Sequence, residues 1–231
     1  MEFESTPPLF TRRHAAWVIG IASLVMFLGA MVAELYARQR LILPADAGQT
    51  VRNLVAEAGA FRLGMLCYVL VLLGDALASW ALYVWFALDT PGLKSLARLM
   101  AWLRLLYTAV YAVALAQLLI GFKLATGTAD DAEVAMHSFL AFETIWAMGM
   151  LFFGLHLVLV GYLCWRSTRV PNALGWLLCL AGGGYFADNL GKLLLADYAA
   201  YQMIFAAIVV LPAVTGEVGL GIWMLVRGRR A

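Results

Sequence analysis

Charge is scarce in this sequence. Of 231 residues only 13% are charged, against 64% hydrophobic, and the mean hydropathy is +0.87. A soluble domain carries about 25% charged residues, so the shortage excludes an ordinary soluble fold. The net charge of +2, with no basic run beyond the tail RGRR, excludes a nucleic-acid partner. Cysteine is sparser still. Cys67, Cys164 and Cys179 sit inside apolar runs without CxxC spacing, which excludes a disulfide framework or a thiolate metal site. Of the three histidines, His137 and His156 lie about 28 Å apart along one helical run, and His14 falls outside the apolar runs. That excludes a bis-histidine haem. There is no HExxH, P-loop or GxSG, and no lysine deep in a seventh span for a retinal. Asp75 in LLGD and Asp188 in YFAD differ in expected depth by about 9 Å, which argues against the aspartate pair of an intramembrane protease. No metal and no cofactor are assigned.

What the chain has instead is long apolar runs. Crossing the hydrocarbon takes about 20 apolar residues, and six stretches qualify: 15–36, 62–88, 95–121, 134–164, 172–195 and 200–226. Links rich in breakers or charge, such as DTPGLKS, FKLATGTADDAE and STRVPN, separate them. The expectation is an all-α integral membrane protein, a six-transmembrane-helix bundle forming a single polytopic membrane domain over 1–231. The first fourteen residues read as a polar tail, and the run after them is too long for a signal-peptide core. Only the first connection is long. In it, Asp46 is placed to cap a helix that repeats Val51, Leu54, Val55, Ala58 and Phe61 at helical spacing. This predicts a short amphipathic interfacial helix in the first outer loop. An even number of spans puts both termini on one side. That side would hold nine Lys/Arg, among them Arg12, Arg98 and Arg166, against six on the other, which places both termini in the cytoplasm.

Several ionisable residues interrupt the spans. Asp75, Arg104, His156 and Glu217 fall on four different spans, all between the midplane and the inner third. Charged and facing lipid, each would cost at least about 2.5–3.5 kcal/mol, so the four are expected to face one another. Arg104, Tyr107, Thr108 and Tyr111 recur at i, i+3, i+4 and i+7, one face of the third span. Asp75 shares a face with Ser79. His156 shares one with Gly149 and Phe152, the glycine allowing close approach of a neighbouring helix. Pro212 precedes Glu217 and invites a kink beside the acid. A second, outer stripe runs through Tyr185, Asp188, Asn189 and Lys192, with Glu34 and Glu143 at comparable depth. Gly182, Gly183 and Gly184 beside it offer a surface for close helix contact.

The order of landmarks resembles a bacterial membrane family catalogued as a domain of unknown function with six predicted spans. The matching pieces are FRLG (61–64), GDALASWALY (74–83), LARLMAWLRLLY (96–107), FFGLHLVLVGYL (152–163), PNALGWLLCLAGGGY (171–185) and EVGLGIW (217–223). The resemblance implies the topology and a bacterial inner membrane; it supplies no activity.

From the residues, the expected function is binding of a small amphipathic molecule or lipid headgroup in an inner polar pocket. Arg104 would hold an anionic group, Tyr107 and Tyr111 would donate hydrogen bonds, Asp75 and Glu217 would balance the charge, and His156 would exchange a proton. Three other readings stay open. One is a membrane-embedded enzyme acting on a lipid or isoprenoid, with His156 and Asp75 or Glu217 as its catalytic pair. Another is a proton-coupled carrier, for which this length would suit a homodimer. The last is a structural subunit whose ion pairs only hold helices in register, with Lys192 merely snorkelling outward.

Overall fold

The computed structural model describes residues 10–127 and 132–230. The expected tail before Phe10 and part of the link after Ala125 lie outside the described residues. Among the described residues seven helices form: α1 Arg12–Leu41, α2 Ala47–Ala56, α3 Ala58–Asp89, α4 Lys94–Ala125, α5 Ala132–Arg166, α6 Asn172–Leu194 and α7 Tyr198–Val226. Among the described residues there is no strand. Helices α1, α3, α4 (with the turn Pro91–Leu93), α5 and α7 are long and apolar enough to cross a membrane. Helix α6, the expected fifth span, forms over 23 residues but is not among these five. Its glycine triplet, Asp188 and Asn189 dilute its apolar character.

The helices close into a ring. Packing runs α1 to α3, α3 to α4, α4 to α5, α5 to α6 and α6 to α7, and α7 returns to α1. Glycines set the tightest of these contacts. On α5, Gly154 and Gly161 face Gly182 and Gly175 of α6: a Cβ on Gly182 would lie 2.5 Å from the Gly154 carbonyl, and one on Gly161 would lie 2.6 Å from that of Gly175. Backbone cannot yield as a side chain can, so only hydrogen fits there. Of the expected triplet, Gly182 faces α5 and Gly184 faces α7, while Gly183 looks onto open space. The return contact uses the same device, Gly20 on α1 lying against the backbone of Gly221 on α7.

Helix α2 forms where expected, Asp46 accepting from the Gln49 N–H at 2.8 Å. Its apolar face turns onto the ends of α3, α4 and α5, burying Leu54 and Thr50, while Val55 of the expected apolar stripe is left exposed. The helix therefore caps the ring. At the other end Asp89 ties three segments together, meeting Arg169 at 3.0 Å and Arg12 at 3.6 Å.

Two helices contain wide π-helical turns. Both turns hold a glutamate: Glu34 in Val32–Arg38 of α1 and Glu217 in Val214–Val218 of α7. The second follows Pro212, whose missing N–H cannot bond one turn back. Beyond that turn α7 changes company. Gly219–Val226 packs on α1, whereas Tyr198–Ala213 packs on α6, and between 198 and 211 only Val209 is buried.

A paired substitution tests the glycine packing. Gly182→Ala should destabilise the protein by roughly 1–3 kcal/mol through overpacking, whereas Gly183→Ala should be neutral or gain about 0.5–1 kcal/mol. Thermal unfolding in detergent reads both, and equal effects would refute the contact.

Candidate functional site

The inner group forms where α3, α4 and α5 meet inside the ring. Arg104 Nε and Nη2 donate to Asp75 Oδ1 at 2.9 and 2.6 Å, and Nη1 lies 3.2 Å from His156 Nε2. The other imidazole nitrogen, Nδ1, lies 2.9 Å from the Met100 carbonyl. A carbonyl only accepts and a guanidinium only donates. Nδ1 must therefore carry the hydrogen and Nε2 must accept, which makes His156 a neutral acceptor with both nitrogens engaged. The guanidinium also reaches Met26 Sδ of α1 at 3.7 Å and lies over the Phe153 ring at 5.6 Å. Asp75, Arg104 and His156 are 3%, 7% and 0% exposed, so the set is sealed. Ser79 adds a further tie, its hydroxyl donating to the Ala101 carbonyl at 2.8 Å, and Thr108 bonds back to the Arg104 carbonyl.

Tyr107 and Tyr111 continue this face of α4 and are also buried. Their rings stack at 5.6 Å; Tyr111 meets Tyr68 of α3 edge-on and Tyr107 meets Phe153. Phe153, not Phe152, packs on His156, since Phe152 points outward. Gly149 leaves no vacancy beside the imidazole either: a Cβ there would meet Val110 at 3.2 Å and Tyr107 at 3.5 Å.

Glu217 reaches the group from the far side. Its partner is the Tyr185 hydroxyl of α6, and Tyr185 packs edge-on against Phe153. Both residues are only half-buried. Among the described residues no Lys, Arg or His lies within ion-pair distance of Glu217, because Arg104 is turned to Asp75. The expected outer stripe therefore divides. Tyr185 belongs to the inner group, while Asp188 stays outside, bonded to Lys192 at 2.7 Å and to the Tyr198 hydroxyl at 2.5 Å. Asn189 donates to the Tyr185 carbonyl.

Nearer α2 lies a second charged group centred on Arg38. It grips Glu34 on the same helix with two nitrogens and donates to Glu143 of α5 at 2.7 Å. The Tyr68 hydroxyl donates to Glu34 at 2.5 Å, and the Arg38 guanidinium lies over Phe142 and Trp146. Sequence reading placed Glu34 and Glu143 at one depth but missed both partners. Arg38 lies beyond the expected end of the first span at 36, and nothing in the sequence shows that α1 continues to Leu41. Tyr68 is a lone tyrosine in an apolar run.

Membrane-length helices closed around a neutralised arginine define a polytopic membrane protein. The chain belongs to the family described as Domain of unknown function (DUF4386), which it matches over residues 18–228. It is also 29% identical over 161 residues to an uncharacterized protein of Archaeoglobus fulgidus, a match covering 70% of this chain and 81% of that one. No solved structure matches.

Removing the arginine separates a pair from a lone charge. Arg104→Leu strands Asp75 and should cost about 3–5 kcal/mol, whereas Arg104→Leu with Asp75→Leu should recover much of that loss. Unfolding of the three proteins in one detergent measures it; simple additivity would contradict the pairing.

Proposed function

We propose that this protein binds a small amphipathic molecule or a lipid headgroup within the ring, at the polar group shared by α4, α6 and α7. The observation that carries the reading is an acid left over: among the described residues Glu217 has no cation within ion-pair distance, Arg104 being paired with Asp75. A staple needs only Arg104 and one acid, and these are supplied by Arg104 paired with Asp75 Oδ1 and by His156 with both nitrogens engaged. Glu217 and Tyr185 are surplus to it, half-buried, and on helices that do not carry the staple. Arg104 then acts indirectly, as the fixed charge that stands beside the binding acid. The polar end of a ligand meets Glu217 and Tyr185, while apolar surface accepts its tail. The enzyme reading loses support because His156 has no nitrogen free for acid–base work.

The same reading takes α6 as a sixth crossing helix. At 23 residues it is about 34 Å long by the helical rise, and it is flanked by two membrane-length neighbours. Both termini then lie in the cytoplasm, in agreement with the Lys/Arg asymmetry, and the membrane would be a bacterial inner one. Lipids are the partners on this account.

Glu217→Gln keeps shape and can still bond Tyr185. Its stability should stay within about 1 kcal/mol of wild type, in the range of ordinary hydrogen-bond changes. Loss of a charged hydrogen bond of roughly 1.5–3 kcal/mol should lower the occupancy of a copurifying amphiphile at least about tenfold, as read by native mass spectrometry. Unchanged retention would return the group to a purely structural role.

A further inference from the structure

The ring has one seam that closes over only part of its length. Inward of the π turn, α1 and α7 are in backbone contact through Gly20 and Gly221. Outward of it, Tyr198–Ala213 packs on α6, and α1 packs on α3. The outer half of α7 is accordingly bare: Met203 is 81% exposed and Leu211 70%. On α1, Leu28 and Leu35 are also exposed. Glu217 sits in the turn where the two helices begin to touch. It therefore lies at the inner end of the seam, and with Tyr185 it is the half-buried part of an otherwise sealed polar group.

Charge decides what fits there. Arg104 and Asp75 cancel, and His156 is neutral by its hydrogen bonds. An ionised Glu217 leaves the group one negative charge in excess. An arriving carboxylate or phosphate would double that excess in a medium where uncompensated charge is costly. A single small cation on an apolar tail would cancel it.

We propose that the outer α1/α7 seam is a lateral entrance for an amine-headed amphiphile, its tail lying between the two helices and its ammonium meeting Glu217 and Tyr185. This rests on the binding function proposed above and adds to it the class of ligand and its path. The exposed outer half of α7 is then a wall of the entrance, and Pro212 with the π turn is the bend that holds it away from α1. No movement of Arg104 is required. The sealed staple keeps the inner half of the ring closed while the outer half admits a tail, so the head stops at the depth of Glu217.

The test uses the full chain in phosphatidylcholine nanodiscs and three long-chain probes that differ only in the head: an alkylamine, the matching alcohol and the matching fatty acid. Each carries a diazirine in the tail. After photolysis, peptide mapping should place the alkylamine label on residues 25–35 and 203–211, at least about tenfold above the alcohol, with the fatty acid lowest, the ratio expected for a charge-assisted contact of roughly 1.5–3 kcal/mol. Glu217→Gln should abolish the amine preference and Glu217→Asp should retain most of it; a Glu217→Gln protein that does not fold leaves Glu217→Asp and the head comparison as the deciding data. Equal labelling by amine and alcohol would overturn the ligand class. In that case the binding function would still stand if Glu217→Gln releases a copurifying molecule. Label spread evenly around all helices would overturn the entrance. So would crosslinks joining α7 of two copies, since the seam would then be an interface between chains.

Discussion

A guanidinium inside a bilayer must be answered by the protein that carries it. Arg104 cannot discharge itself and is buried, so the surrounding helices are arranged to satisfy it. Asp75 supplies the opposite charge from α3, His156 supplies a neutral acceptor from α5, and Met26 adds a soft contact from α1. The imidazole in turn is aimed by the Met100 carbonyl one turn before Arg104 on α4. Each element is thus held by the next, and the register of α3, α4 and α5 follows from one charge.

Satisfying that charge leaves the other side of the ring free. Helices α6 and α7 are drawn in by glycines, not by ions, and they bring Tyr185 and Glu217 to the same depth without a cation of their own. The outer arginine, Arg38, answers Glu34 and Glu143 and leaves no charge to spare for Glu217. The aromatic column of Tyr68, Tyr111, Tyr107 and Phe153 fills the space between the two arginines. Polar groups at both depths are therefore separated by packed rings.

Much of this was legible in the sequence, and the failures have physical causes. Arg104, Tyr107 and Tyr111 show their common face because a stripe at 3.6-residue spacing survives in any straight helix. The convergence of Asp75 and His156 on Arg104 follows from the cost of leaving any of them in lipid. Phe153 was passed over for Phe152 because neighbours in a helix point about 100° apart, and only the real helix orientation selects between them. The π turns were invisible, since their widened hydrogen bonding has no residue signature, although Pro212 marks the place of one. Tyr185 was grouped with Asp188 by spacing along α6, yet the helix is wide enough for the two to face different neighbours. The amphipathic pattern of α2 gave the helix; that part of its face meets the ends of α3, α4 and α5 is not written in the pattern, because an apolar face fits a bundle end and a lipid surface alike.

The central claim is that Arg104 is held by Asp75 and by a neutral imidazole, and the tautomer of His156 tests it most directly. In nitrogen-15 spectra of histidine-labelled protein in nanodiscs at neutral pH, His156 should show a protonated Nδ1 and a bare, hydrogen-bonded Nε2. The Nε2 signal should shift in Arg104→Leu. A doubly protonated ring, or the hydrogen on Nε2, would contradict the arrangement on which the ring and its binding side depend.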